Sequence, residues 1–191
     1  MRYSASRMLP ALAVMKPIEP PDLHYLRAAV GWLELGNHKE ANEEFKQIAP
    51  TLQVHPDVLE IRWEICAMAK EWDVCVDIAS AIVELAPDRP FGWIGRAYSL
   101  RRVEGGGLMA AFMTLLLVAD EFPAEPMIPF SLSCYTCQMG RLKDARAWLH
   151  RAFAVASLTG NKKRFKHMAM EEPDLEPLWR KVPKRCAFPR P

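Results

Sequence analysis

Proline recurs along this chain at a spacing that few folds can use. Pro-marked starts stand at Pro21-Asp22, Pro56-Asp57 and Pro90-Phe91; Asp22 to Pro56 is 34 residues, Pro56 to Pro90 is 34 again, and Pro90 to Pro126 is 36. A fixed period of this length is the signature of stacked supersecondary units. Proline suits the first turn of a helix, where its missing N–H is not needed. Between these starts apolar residues recur every three or four positions and never alternate, which predicts helices and argues against strands. With 16 Pro, only 9 Gly and few β-branched clusters, a sandwich or barrel is disfavoured.

Each interval reads as a helix, a short turn, a second helix and a break. The first has Tyr25, Ala28, Ala29 and Trp32, then Gly36-Asn37, then Ala41, Phe45, Ile48 and Pro50. The second has Leu59, Trp63 and Cys66, then Trp72, Cys75, Ala79, Ile82 and Pro87. The third has Trp93, Ala97 and Leu100, a turn at Glu104-Gly105-Gly106-Gly107, then Ala111, Leu115, Val118 and Pro123. Its two extra residues fall in that glycine-rich turn, where an insertion costs little. The fourth has Leu132, Ser133 and Thr136, Gly140, then Ala145, Leu149 and Ala152.

These marks resemble the tetratricopeptide repeat (TPR) family, in the form of a small bacterial-type member. Its pattern is Trp-x2-Leu-Gly-x2-Tyr, then Ala-x3-Phe, then Pro. Ala41-x3-Phe45, Ala111-x3-Leu115 with Pro123, and Ala145-x3-Leu149 with Ala152 carry the second half; Gly36, Gly140 and Trp93 carry part of the first. Arg62-Trp63 stands where Leu-Gly is expected, and Cys75 and Ala79 replace Ala and the aromatic. The resemblance implies an all-α, right-handed α-solenoid of about four helix–turn–helix repeats with a C-terminal helical cap. The units run 22–55, 56–89, 90–125 and 126–158 within a repeat region of 21–158, and the cap covers 159–182. In the cap, Lys163–Met170 and Asp174–Arg180 read as helices, with Leu175, Leu178 and Trp179 as the buried face. Residues 1–20 and 183–191 read as poorly ordered tails, and Met15 is an alternative translation start to Met1.

Composition removes several function classes. Half the residues are hydrophobic and a quarter charged, which is globular composition. No run of 18 apolar residues exists, so no membrane-spanning helix is expected. Net charge is only +2, but residues 1–140 hold 12 Lys+Arg against 18 Asp+Glu, and residues 141–191 hold 13 against 5. A basic end can meet nucleic acid, yet here the cations interleave with Glu171, Glu172, Asp174 and Glu176, so nucleic acid is not the favoured partner. Five cysteines are an odd number with no disulfide spacing, and a reducing cytoplasm is the simplest location. Cys134-x2-Cys137 lies mid-helix in an all-helical chain and lacks a second ligand pair, so it reads as packed thiols rather than a redox or zinc motif. The five histidines are scattered, and Glu104–Gly107 has no Lys-Ser/Thr after it and no strand before it. No catalytic set, metal or cofactor is expected. The six tryptophans sit at helical spacing and read as core.

The resemblance implies that the first helices of successive units line a concave groove. Carried over by position, that face has Leu23, Leu26, Val30, Leu33 and Glu34, then Asp57, Glu60, Glu64, Ala67 and Met68, then Phe91, Ile94, Tyr98, Arg101 and Arg102, then Met127, Phe130, Cys134, Cys137 and Gln138. The subclass that clamps a peptide carboxylate uses Lys and Asn there, and none is present. The expected centre is Tyr98 with Arg101 and Arg102, the one cationic pair able to hold an acidic group. The function expected is that of a non-catalytic module presenting this groove to a peptide or helix of a partner protein. Two alternatives stay open: a small chaperone or adaptor shielding a client segment, and a nucleic-acid accessory protein using the basic C-terminal end.

Overall fold

A computed structural model describes residues 17–179. The end of the expected cap from Arg180 to residue 182, the tail at 183–191, Cys186, and residues 1–16 with the alternative start at Met15 lie outside the described residues. Those described are helical, with no strand among them.

Four helix pairs follow in order. They are α1 (Asp22–Glu34) with α2 (His38–Lys46), and α3 (Pro56–Ala69) with α4 (Trp72–Leu85). Next come α5 (Pro90–Leu100) with α6 (Leu108–Leu116), and α7 (Met127–Gln138) with α8 (Leu142–Leu158). Then α9 (Lys162–Glu171), a 3-10 turn at Pro173–Leu175 and the short α10 (Glu176–Trp179) close the C-terminal end. Each helix up to α9 packs on the next, and α3 also packs on both α1 and α5.

The starts and stops are local chemistry. Pro56 and Pro90 occupy first helical turns. The Asn37 side chain accepts from Glu40 N–H at 3.2 Å and caps α2, and His55 Nδ1 accepts from Asp57 N–H at 3.2 Å at the head of α3. Three turns between paired or successive helices pass through a left-handed glycine: Gly36 at φ 76°, Gly140 at φ 74° and Gly160 at φ 75°. Each is followed by the same closing bond, from Asn37 N–H to Trp32 O, Arg141 N–H to Thr136 O and Asn161 N–H to Ala156 O. The second pair makes the identical turn with Lys70 at φ 62°, Glu71 N–H bonding Cys66 O at 2.9 Å. The third pair departs from it. There Gly107 N–H reaches Leu100 O at 2.7 Å, and a Cβ on Gly106 would collide with that same carbonyl. With Gly106 N–H also bonding Val103 O at 3.2 Å, this glycine run is a tight turn rather than the loose linker its composition suggests.

Small residues let the helices approach. Ala41, Ala97, Ala111 and Ala145 are fully buried. Helix α3 is sandwiched: Val58 and Ile65 enter the core shared with α1 and α2, while Leu59 and Cys66 enter the core shared with α4. Helix α7 is buried almost all round, from Ile128 to Cys137. Its buried Ser133 and Thr136 hydroxyls satisfy themselves on the helix's own carbonyls, Ser133 donating to Phe130 O and Thr136 to Leu132 O, both at 2.7 Å.

The C-terminal end covers α7. Leu175 and Leu178 are buried, as their spacing implies, but Trp179 is 44% exposed and not part of the buried face. The 3-10 turn packs on α7, and the Phe165 ring of α9 meets Phe130 edge-on at 5.7 Å between centroids.

Candidate functional site

A hollow of about 560 Å³ opens between α1, α3 and α5. Helix α1 supplies Val30, Leu33 and Glu34; α3 supplies Trp63, Glu64, Ala67 and Met68; Trp72 and Tyr98 complete the wall. Met68 is 39% and Tyr98 40% exposed, so large apolar groups face solvent at this point. Among the described residues, the only charged ones in the lining are Glu34 and Glu64. Burial raises the Glu64 carboxyl above its ordinary value.

The aromatic wall is locked from behind. The Trp63 indole N–H donates to Ser99 Oγ at 3.1 Å, and the Ser99 hydroxyl donates to Gly95 O at 2.8 Å. The Trp63 ring lies against α5 at Gly95, where an added Cβ would sit 3.2 Å from Trp63 Cε2. Trp63 meets Phe91 at 5.5 Å and Tyr98 at 5.9 Å, and Trp72 meets Tyr98 at 5.9 Å. Arg102 lies over these rings, its Cζ 3.4 Å from the Tyr98 centroid and 5.3 Å from that of Trp72. Its Nη1 donates to Tyr98 O at 3.0 Å. On the other side of Trp63 and Tyr98 a smaller hollow of about 300 Å³ is lined by Phe91, Ile94 and Met127 among others.

The residues expected to form one groove therefore divide. Val30, Glu64, Met68 and Tyr98 line the larger hollow with Leu33, Glu34 and Ala67; Arg102 stands beside it, and Ile94 lines the smaller one. Glu60 belongs to neither. Arg89 holds it, with Nη2 at 3.1 Å from Glu60 Oε1 and Nη1 at 2.7 Å from Asp57 Oδ1. Burial still raises the Glu60 carboxyl, against the pull of Arg89. Leu26, Phe130 and Cys134 are buried and offer a partner no surface, which corrects their placement on the groove. The reason is tertiary: the first core covers Leu26, and the returning C-terminal end covers the other two. Arg101 is also corrected. It is ion-paired to Asp174, whose hydrogen bond raises the guanidinium further, and it lies over the Tyr135 ring at 5.6 Å. Gln138 donates to Asp174 O at 3.4 Å. The fourth rung is thus occupied by the chain's own Asp174.

Spacing puts Trp63 and Trp72 in the core; both do pack, partly buried, against the core of α3 and α4, and both also line the hollow. Gly92 and Gly95, three residues apart in α5, are the signal that α5 presents no side chains over part of the neighbouring helices.

The cysteines are placed for packing. Cys66, Cys75, Cys134 and Cys137 are free and buried. Burial pushes the Cys66 thiol up to about 11 and Cys75 to about 12, and raises Cys134 and Cys137 as well. A redox thiolate needs the opposite shift. Among the described residues no group of three His, Cys, Asp or Glu side chains is placed to hold a metal ion, and no helix is long and apolar enough to cross a membrane. No protein-family model matches the chain, and no curated protein matches it significantly.

Proposed function

We propose that this chain is a non-catalytic, TPR-like α-solenoid whose groove between α1, α3 and α5 takes a peptide or helix of a partner protein. One observation carries the reading: an aromatic-walled hollow open to solvent, where first helices of successive pairs lie side by side. Leaving Met68 and Tyr98 in water without a partner wastes favourable burial, and a helix or strand laid across α1, α3 and α5 would recover it. The four buried free thiols support a reducing, cytoplasmic location.

Affinity capture with three forms of the full chain tests this. A partner retained by the wild type should be lost with Leu33→Ser/Met68→Ser and kept with Lys163→Glu/Lys166→Glu. Those two lysines are exposed on α9, far along the chain from the groove. The reverse pattern would replace the groove by the basic end, and with it the protein partner by nucleic acid or an acidic surface. A client-shielding adaptor would show the same loss with Leu33→Ser/Met68→Ser, but would release many apolar segments rather than one partner.

A further inference from the structure

The charge of the groove is opposite to the one its cationic pair suggests. Arg101 is consumed by Asp174, and among the described residues the hollow is lined by two carboxylates and no Lys or Arg. The walls are rings, whose faces attract cations. The chain already displays that attraction, because Arg102 lies over the faces of Tyr98 and Trp72. We propose that the occupant of the groove is a basic amphipathic segment. It sets an apolar side chain against Trp63, Trp72 and Tyr98, and places a Lys or Arg between Glu34 and Glu64. This rests on the groove reading and adds the partner's chemistry to it.

Two consequences separate this from a groove that accepts any apolar segment. First, a cation entering the hollow gains a carboxylate already partly stripped of water, so the attraction is worth more than between exposed charges. An acidic segment meets Glu34 and Glu64 as like charges in the same setting. Second, Arg102, lying over the Tyr98 and Trp72 rings beside the hollow, is a like charge to the incoming cation and covers ring surface that the partner's apolar side chain would use. It is therefore an intramolecular rival of the partner and not its anchor.

The test uses the full chain and two synthetic 12-residue amphipathic helices with the same leucines, one with Lys and one with Glu at every polar position. Binding is read by calorimetry and by tryptophan emission at low salt. The Lys peptide should bind at least tenfold more tightly than the Glu peptide, and the advantage should shrink as salt is raised. Glu34→Gln/Glu64→Gln should bring the two peptides to within about threefold of each other. Glu84→Gln/Glu121→Gln removes the same charge from exposed positions outside the hollow and should leave the preference intact. Arg102→Gln should tighten the Lys peptide severalfold and leave the Glu peptide unimproved.

Met68→Ser, at a site exposed enough to leave folding unaffected, should weaken both peptides if they sit in the groove. Suppose both peptides bind equally, or the preference survives Glu34→Gln/Glu64→Gln, while Met68→Ser still weakens them. The basic-segment inference is then overturned and the groove stands. Binding that ignores Met68→Ser, or no binding of either peptide, overturns both.

Discussion

Gly92 and Gly31 are both helical glycines, and replacing each with alanine should move stability in opposite directions. In a helix interior alanine is favoured over glycine by about 0.8–1.0 kcal/mol. At Gly31, in α1, an added Cβ meets nothing within 4 Å, so this gain should be realised in full. At Gly92, in the first turn of α5, the same Cβ would lie 2.9 Å from Ile82 Cγ2 and 3.1 Å from both Val83 Cγ2 and the Val83 backbone N. A side-chain methyl can shift, but the backbone of α4 is held by its own ladder and by Ile82, which is fully buried. Overpacking of this kind costs about 1–3 kcal/mol. The net for Gly92→Ala is then a loss of up to about 2 kcal/mol, against a gain of about 1 kcal/mol for Gly31→Ala. For a chain of this size 1 kcal/mol corresponds to about 2–4 °C in Tm. Urea unfolding followed by circular dichroism at 222 nm should show the two midpoints moving apart on either side of wild type, with unchanged slopes. Equal stabilisation by both substitutions would show that α4 and α5 are not in backbone contact at Gly92, and would refute the packing described for this crossing.

Lys70→Gly should stabilise the chain by up to about 1 kcal/mol. It relieves a left-handed lysine, although glycine's freer unfolded state offsets part of the gain; an unchanged thermal midpoint would count against that turn. Glu64→Gln should raise Tm at neutral pH. Burial raises the folded-state pKa of Glu64, so the folded chain holds its proton more tightly and wild-type stability rises as pH falls through that value toward the ordinary 4.5. The advantage of the variant should therefore fade across the same window, and a gain that persists in acid would remove burial of charge as its cause. Ala145→Trp should destabilise by at least about 1–3 kcal/mol, because Ala145 is fully buried where α8 meets α7; neutral melts would place that alanine away from a helix crossing.

The helices were legible because their signals are local. Pro56, Pro90, Gly36 and Gly140 punctuate the chain within a few residues of where the helices begin and end, and the apolar spacing between them has a single period. What spacing does not carry is depth. Trp63 and Trp72 fall on the stripes that include Cys66 and Cys75, yet they are only partly buried: Trp63 packs against α5 at Gly95 and Ser99 and still turns part of its surface, with Trp72, to the hollow. Phe130 and Cys134 occupy positions that would be open on α7 alone. They are buried because residues some forty places later return to cover them, an event with no mark in the local pattern. Arg101 is withdrawn from the groove for the same reason, since its partner Asp174 belongs to that returning segment. Val30, Leu33, Glu34, Glu64, Ala67, Met68 and Tyr98 line the hollow because they lie on faces of α1, α3 and α5 that the returning C-terminal segment does not reach.

Asp174 also acts as a ruler. By occupying the fourth rung, it leaves three first helices, α1, α3 and α5, available side by side. Neighbouring helix axes lie about 8–10 Å apart, so two spacings come to about 16–20 Å. An extended chain advances about 3.3 Å per residue and would fill that distance with about five or six residues. A helix rises 1.5 Å per residue and would need about eleven to thirteen, or three turns and a little more. A longer segment would run off the α1 side, since the other direction ends at the Arg101–Asp174 pair.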